Sequence, residues 1–107
     1  MRGLQFEIHE NAKKKGWWDE ERTFGELIAL CHSELSEALE EFRCGRRVNE
    51  RTYSEGGKPE GIPSELADVV IRIMDMCERY DIDLEEVIRE KIRYNRTRAY
   101  KHGWKVL

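Results

Sequence analysis

Two short segments of the chain carry carboxylates at matching intervals. Glu34 and Glu37 are three residues apart, and Glu65 and Asp68 repeat that spacing. Side chains three apart lie on the same side of a helix, so each pair would present two carboxylates together. The second pair stands within the largely apolar stretch SELADVVIRIMD. Because an ionised carboxylate is costly to bury alone, this pattern predicts that the acids meet a cation, a proton or water.

Four carboxylates facing each other across two helices would form a site for a hard cation. The connection between the two segments is short, which predicts that their helices are antiparallel neighbours. Oxygen donors without histidine or cysteine suit Mg²⁺ or Mn²⁺. Di-iron bundles use Glu-x-x-His pairs in a similar geometry, so the absence of histidine from both pairs argues against a redox bundle.

Ion pairing is the alternative explanation of these acids. Acidic residues at spacings of three and four are common on solvated helices, and arginines could neutralise them. The candidate partners are Arg43, Arg46, Arg47 and Arg72. For Glu40 and Glu41 we favour that solvated interpretation. For the two acidic pairs, one of them set in an apolar helix, we favour the metal site.

The elements that position these acids are predicted to be helices. Apolar periodicity and capping residues predict about four of them in a single all-α domain spanning residues 1–107. Their predicted extents are Leu4–Lys15, Thr23–Arg43, Pro63–Tyr80 and Asp83–Arg98. The segment from Gly45 to Ile62 is polar and glycine-rich and is predicted to be a loop.

Apolar residues at helical spacing mark the face of each helix that we expect to be buried. In the first helix they are Leu4, Ile8 and Ala12, and in the fourth Leu84, Val87 and Ile88. In the second helix they are Leu27, Ile28, Cys31, Leu35, Ala38, Leu39 and Phe42. These stripes predict a helical bundle.

The composition bounds the partners of the protein. Hydrophobic residues make up 39% of the 107 residues and charged residues 38%, so part of the apolar surface is expected to be buried between subunits. The net charge of -3 argues against binding a nucleic acid polymer. No apolar run approaches the length of a membrane span. Cys31 and Cys77 fall on apolar faces as buried thiols, which fits a reducing cytoplasm.

The two acidic motifs resemble those of a known family. SELSEALEEF followed by ELADVVIRIMD is similar to the Glu-x-x-Glu and Glu-x-x-Asp helices of the MazG-like, all-α nucleoside triphosphate pyrophosphohydrolases. The segment KIRYNRTRAYKHGWK resembles the Lys-x-x-x-Asn element of that family with its downstream arginine. The resemblance extends from about His9 to Lys105. It is specific because both acidic pairs and the Lys-Asn-Arg element occur in the family's order.

This resemblance implies a fold and a reaction. The fold would be a MazG-like helical bundle completed by dimerisation, as a homodimer or homotetramer. The reaction would convert a nucleoside triphosphate and water to the monophosphate and pyrophosphate, usually on unwanted nucleotides. The implied Mg²⁺ ligands are Glu34, Glu37, Glu65 and Asp68. Ser33 stands where many members have another glutamate, so the number of ions stays open.

Within that reaction, individual residues acquire expected roles. A glutamate has to take a proton from the attacking water, and we favour Glu37 over Glu34 because it lies further from the apolar stripe. Lys91, Asn95 and Arg98 are at i, i+4 and i+7 and continue the inward face of the fourth helix. We therefore expect them to bind the triphosphate, against the alternative of a basic helix that is merely solvated.

The nucleotide base also needs a binding surface. Trp18 is the first candidate for stacking on the base. His9, for a hydrogen bond to the base edge, and Trp17 rank below it. The alternative is that these rings belong to the core or to a dimer interface. Lys58 is a further candidate for a phosphate contact, although a plain flexible loop is the simpler interpretation. A non-catalytic helical module that binds nucleotide or protein is the alternative function.

Overall fold

The computed structural model describes residues 1–98, and residues 99–107 lie outside the described part, including the end of the segment that resembles the family. The helices are α1 (Arg2–Lys14), α2 (Phe24–Arg43), α3 (Ile62–Arg79) and α4 (Leu84–Arg96). Two short strands, β1 (Thr52–Tyr53) and β2 (Pro59–Glu60), lie between α2 and α3. The predicted mostly helical architecture with four helices is confirmed.

Local side-chain chemistry sets the ends of the helices, as the sequence predicts. The Thr23 hydroxyl accepts a hydrogen bond of 3.1 Å from the backbone N–H of Glu26 at the start of α2. Asp83 accepts one of 3.2 Å from Glu86 at the start of α4. A proline occupies the first turn of α3, where a backbone N–H is not needed.

The central helix is α3, which packs against α1 on one side and against α2 on the other. Leu27 and Cys31 of α2 form the buried core with Met76 of α3, and Trp18, Ile28 and Ile73 pack against it. Residues that come later in α2 contact residues that come earlier in α3. The predicted antiparallel pairing of these two helices is therefore confirmed.

The contact between α1 and α3 depends on polar side chains. Gln5 is fully buried, and its amide nitrogen donates hydrogen bonds to the Ile82 carbonyl at 2.8 Å and to Glu78 at 3.0 Å. One turn later, His9 is buried against Asp75. The prediction that Leu4 belongs to the buried face is wrong, since half of its surface is exposed.

In the single chain, α4 has no buried residue. Its attachment includes ion pairs near its N-terminal end, where the Met1 amino group lies 2.8 Å from Glu85. Val87 and Ile88 are 45% and 37% exposed. The predicted inward face of this helix is therefore wrong for one chain, because its apolar side chains do not enter the core of α1, α2 and α3.

The segment predicted to be a loop contains a small β-hairpin. Thr52 lies opposite Glu60 and Tyr53 opposite Pro59 in the antiparallel pair. Gly61 then connects the hairpin to α3 with a φ of 103°, a conformation that favours glycine. A Cβ at this position would lie 2.5 Å from the Glu50 carbonyl oxygen. Gly61 therefore allows the backbone at Glu50, just before the hairpin, to lie close to the start of α3.

Several apolar side chains of the packed helices remain exposed. On α2 they are Leu35, Leu39 and Phe42, and on α3 Leu66 and Val70. Three of the seven residues of the predicted apolar stripe of α2 are thus outside the core of the described chain. Despite these exposed residues, no helix within residues 1–98 has the length and apolar character needed to cross a bilayer.

Candidate metal centre and adjoining clefts

Three of the four predicted metal ligands meet between α2 and α3. One carboxylate oxygen each from Glu34, Glu37 and Glu65 lies within 4.8 Å of the other two. Asp68 follows Glu65 by one turn of α3 but is not part of this tight group. The antiparallel packing of the two helices brings the acids together.

The environment of Glu65 is unfavourable for a negative charge. Burial raises its pKa to about 7, and the neighbouring carboxylates of Glu37, Asp68 and Glu34 act in the same direction. In addition, one Glu65 oxygen is buried without a hydrogen-bond partner among residues 1–98. The raised pKa and the unpartnered oxygen both indicate that Glu65 lacks a positive partner, which a proton or a cation would supply.

Asp68 shares this electrostatic environment. Its pKa is raised by burial and then by the charge of Glu34, while Arg72 and Lys58 act in the opposite direction. Asp68 is thus close enough to the cluster to be affected by its charge and remains half-buried. It would serve a cation at the edge of the tight group.

The ion-pair interpretation accounts for part of the acidic surface. Arg72 donates a hydrogen bond of 2.9 Å from its Nε to Glu34 and neutralises one member of the cluster. Glu40 lies 3.6 Å from Arg43 and Glu41 3.3 Å from Arg46, as expected for solvated pairs. Glu37 and Glu65 form no ion pair within the described residues.

The donor set fits a hard divalent cation. All the converging atoms are carboxylate oxygens, and a buried one of them lacks a partner in the described part of the chain. Mg²⁺ and Mn²⁺ prefer such ligands. Glu34, Glu37 and Glu65 would hold the ion, with Asp68 one turn away.

A first cleft of about 460 Å³ opens beside the cluster, between α1 and α3. It is lined by Glu7, Ile8, Asn11, Ala12, Lys15, Trp17, Glu34, Asp68, Ile71, Arg72 and Asp75. Two guanidinium groups lie over the Trp17 ring, that of Arg22 at 3.8 Å and that of Arg72 at 4.5 Å. The cleft therefore contains the Trp17 ring and its stacked Arg72 guanidinium directly beside two of the predicted ligands.

Trp18 and His9 occupy a different position from the one expected for base contacts. The indole N–H of Trp18 donates to both oxygens of Asp75, at 3.0 and 3.2 Å. His9 donates from Nδ1 to the same carboxylate at 2.6 Å, because a carboxylate can only accept. Their polar atoms are thus engaged inside the protein, and it is Trp17 that lines the cleft.

This arrangement was missed at the level of the sequence, although one signal pointed to it. Asp75 stands in a nearly apolar helix and had to have buried hydrogen-bond partners. Of the two adjacent tryptophans after α1, one supplies a hydrogen-bond donor to Asp75. The other is then left to line the cleft. No sequence pattern indicates the guanidinium groups over Trp17, because they come from separate segments.

A second cleft, of about 610 Å³, lies between the hairpin and the beginning of α3. Its lining residues are Arg51, Thr52, Tyr53, Lys58, Pro59, Glu60, Pro63, Ser64, Ala67, Asp68 and Ile71. Asp68 and Ile71 therefore line both clefts. The acidic cluster has an open space on each side of Asp68.

Within the described residues, the predicted triphosphate contacts on α4 and directly after it are not brought to this site. Lys91 and Asn95 are exposed, and Arg98 is half-buried with its guanidinium 5.6 Å from the Tyr94 ring. Within the described residues, none of the three lines either cleft. Within residues 1–98, α4 does not pack its apolar face onto the other helices, so the role of these three residues stays a prediction.

The stability of the metal-free protein should fall as pH rises through about 7. The folded pKa of Glu65 lies above its ordinary value of 4.5, so folding takes up a proton between these limits. Its contribution to stability is complete below pH 4.5 and is lost as pH rises through the folded value. Thermal unfolding followed by circular dichroism after chelation of divalent cations measures this.

The matched control for this pH dependence is Glu65→Gln, which cannot titrate. The difference in melting temperature between the wild type and this variant should change with pH in the stated window. Added Mg²⁺ should stabilise the wild type more above that window than below it, since protons compete for the same oxygens. A pH-independent difference would contradict the assignment.

Comparisons of the chain with known protein families, with curated proteins and with solved structures give no match.

Proposed function

We propose that the protein is a Mg²⁺-dependent nucleoside triphosphate pyrophosphohydrolase of the MazG-like type, with Mn²⁺ as a substitute ion. The observation that carries this proposal is the convergence of Glu34, Glu37 and Glu65, with a buried Glu65 oxygen left unpartnered within residues 1–98. The clefts on both sides of Asp68 together offer space for an extended substrate beside these acids.

Hydrolysis at the α-phosphorus needs charge neutralisation and an activated water. A bound divalent cation would supply both. Glu37 is the most exposed acid of the cluster and is our choice for the proton acceptor, with Glu34 as the second choice. Water adds to the α-phosphorus, the bond to the α–β bridging oxygen breaks, and pyrophosphate leaves with the electron pair. The proton lost by the water passes to the glutamate.

Arg72 has two roles in this scheme. Its hydrogen bond to Glu34 fixes the orientation of that carboxylate, and its guanidinium lies over Trp17. The nucleoside would occupy the first cleft with its base near Trp17. Trp18 and His9 would act through Asp75 by holding this part of α3 in place, without touching the base.

A second copy of the chain would complete the enzyme. The exposed apolar side chains of α2 and α3 are of the kind that a subunit interface buries. Lys91, Asn95 and Arg98 remain proposed triphosphate contacts, and a second copy would have to bring them to the site. We therefore propose a homodimer or homotetramer that acts on cytoplasmic nucleotides, with no nucleic acid polymer or membrane as partner.

Purified protein incubated with Mg²⁺ and a panel of ribo- and deoxyribonucleoside triphosphates tests this function. We expect release of pyrophosphate together with the monophosphate. Release of orthophosphate alone would contradict the assignment of the scissile bond. The rank order of the panel would identify the preferred base and sugar in the same experiment.

A non-catalytic nucleotide-binding module is the second candidate. It is favoured by the Arg72–Glu34 ion pair, which already neutralises one acid of the cluster. Calorimetry separates the two candidates, because a module would bind a nucleoside triphosphate in the presence of Mg²⁺ and leave it intact. An enzyme would form the products during the titration.

Trp17→Ala should raise KM about tenfold with little change in kcat, since it removes apolar contact in the first cleft, and a loss of about 1.4 kcal/mol of binding corresponds to that factor. Arg72 should remain in place because Glu34 also binds it. Trp18→Phe is the matched variant, and it should lower the melting temperature because Asp75 loses a donor. Steady-state kinetics and thermal unfolding of both variants measure these effects. A raised KM in Trp18→Phe and a lowered melting temperature in Trp17→Ala, in place of the reverse, would contradict the assignment of Trp17 to the base.

A further inference from the structure

We infer that the second cleft, between the hairpin and the beginning of α3, binds the pyrophosphate end of the substrate, with Lys58 and Arg51 as its phosphate contacts. This cleft is called the hairpin cleft. The inference rests on the proposed function for the identity of the substrate. It concerns a part of the chain that is separate from the Lys-Asn-Arg element on α4, and it assigns a direction to the bound nucleotide.

The direction follows from the residues that the two clefts share. Asp68 and Ile71 line both of them, so a ligand that passes over Asp68 reaches from Trp17 on one side to the hairpin on the other. Of the acidic cluster, Glu34 lines the first cleft beside this crossing point, and Glu65 lies one turn of α3 before Asp68. A nucleotide whose α-phosphate is near the cluster would therefore have its base in one cleft and its β- and γ-phosphates in the other.

The charged side chains that line the two clefts indicate which end of the nucleotide each cleft would bind. The hairpin cleft has two cations, Arg51 and Lys58, against the acids Glu60 and Asp68, and it also has the hydroxyls of Thr52, Tyr53 and Ser64. The first cleft has four acids, Glu7, Glu34, Asp68 and Asp75, against the cations Lys15 and Arg72. Phosphate groups would be repelled less and bound better in the hairpin cleft.

Lys58 is also electrostatically linked to Asp68, which lies one turn of α3 after Glu65. Its positive charge lowers the pKa of Asp68 against the raising effects of burial and Glu34. Among the residues lining the hairpin cleft, Lys58 therefore connects the open space to the edge of the acidic cluster. A phosphate held by its ammonium group would remain close to the bond that breaks.

The backbone around Lys58 is ordered by hydrogen bonds. The Lys58 carbonyl accepts one of 2.9 Å from the Ser54 N–H across the hairpin turn. The Ser64 hydroxyl donates to the Pro59 carbonyl at 3.3 Å and connects the hairpin to α3. The hairpin thus presents Lys58 from a folded turn, which reduces the entropy lost when phosphate binds.

Calorimetric titration with inorganic pyrophosphate in the presence of Mg²⁺ tests the inference. Lys58→Met should weaken pyrophosphate binding about tenfold, as expected for loss of one charge-assisted hydrogen bond, and Lys58→Arg should restore most of it. Binding of a nucleoside monophosphate should be the same in all three proteins. Lys14→Met removes an exposed lysine of α1 outside both clefts and is the matched control.

The outcomes distinguish this inference from the proposed function. Unchanged pyrophosphate binding by Lys58→Met in an active enzyme would overturn the hairpin assignment alone. Specific pyrophosphate binding by a wild type that hydrolyses no nucleotide would uphold the hairpin cleft and remove the enzyme. Equal affinity for sulfate and pyrophosphate, or an equal loss of monophosphate binding in Lys58→Met, would also overturn the assignment.

Discussion

Glu65→Gln is expected to reduce pyrophosphate release on the order of 10³-fold, because loss of charge stabilisation of about 4 kcal/mol in the transition state corresponds to that factor. The variant removes a negative charge from the centre of the acidic cluster while preserving the size of the side chain. Initial rates of pyrophosphate release at saturating Mg²⁺ and nucleotide measure the effect.

The control is Glu40→Gln on α2, which removes a carboxylate that is paired with Arg43 outside the cluster. Its rate should remain close to that of the wild type. Without divalent cations and above pH 7, Glu65→Gln should also be at least as stable as the wild type, since burial disfavours the charged form. A fully active Glu65→Gln protein with native helicity would place the metal site elsewhere.

Leu39→Asp is expected to convert the proposed oligomer to a monomer. Leu39 is 58% exposed at the middle of the exposed part of the α2 stripe. In a two-fold symmetric interface the substitution occurs twice, so lost burial of about 3 kcal/mol or more per dimer would weaken association by at least roughly 100-fold. Light scattering coupled to size exclusion should give about twice the 12.8 kDa chain mass, or a higher multiple, for the wild type only.

Val48→Asp is the matched control, because Val48 is equally exposed but lies outside the helices. It should leave the mass unchanged. If the triphosphate contacts of α4 come from a second copy, Leu39→Asp should also lose activity in parallel with dissociation. A monomeric and fully active wild type would contradict both the proposed interface and that role of α4.

The helices and the acidic cluster could be predicted because their signals are local. The caps at Thr23 and Asp83 and the three-residue spacing of the acids involve neighbours in sequence. The antiparallel approach of α2 and α3 then follows from a short connection and two apolar stripes. Three carboxylates from these two helices do converge, which is the part of the site that local patterns could anticipate.

The remainder depends on contacts between distant residues, which periodicity does not encode. The buried face of α1 includes Gln5 and His9 because α3 offers matching hydrogen-bond partners, and an apolar pattern cannot reveal this. The choice of Trp17 over Trp18 for the cleft depends on which indole reaches Asp75. On α4 the apolar pattern is present, but within residues 1–98 the other helices do not bury it.

The polar contact between α1 and α3 has a consequence for altering substrate preference. A purely apolar seam would permit one helix to slip along the other, whereas the directional bonds of Gln5 and His9 permit only one register. On another side of the same helix, Glu7 and Asn11 are exposed to the first cleft. If the first cleft binds the base as proposed, selection for a new base specificity can vary these two positions while the bonds of Gln5 and His9 keep the helix in place.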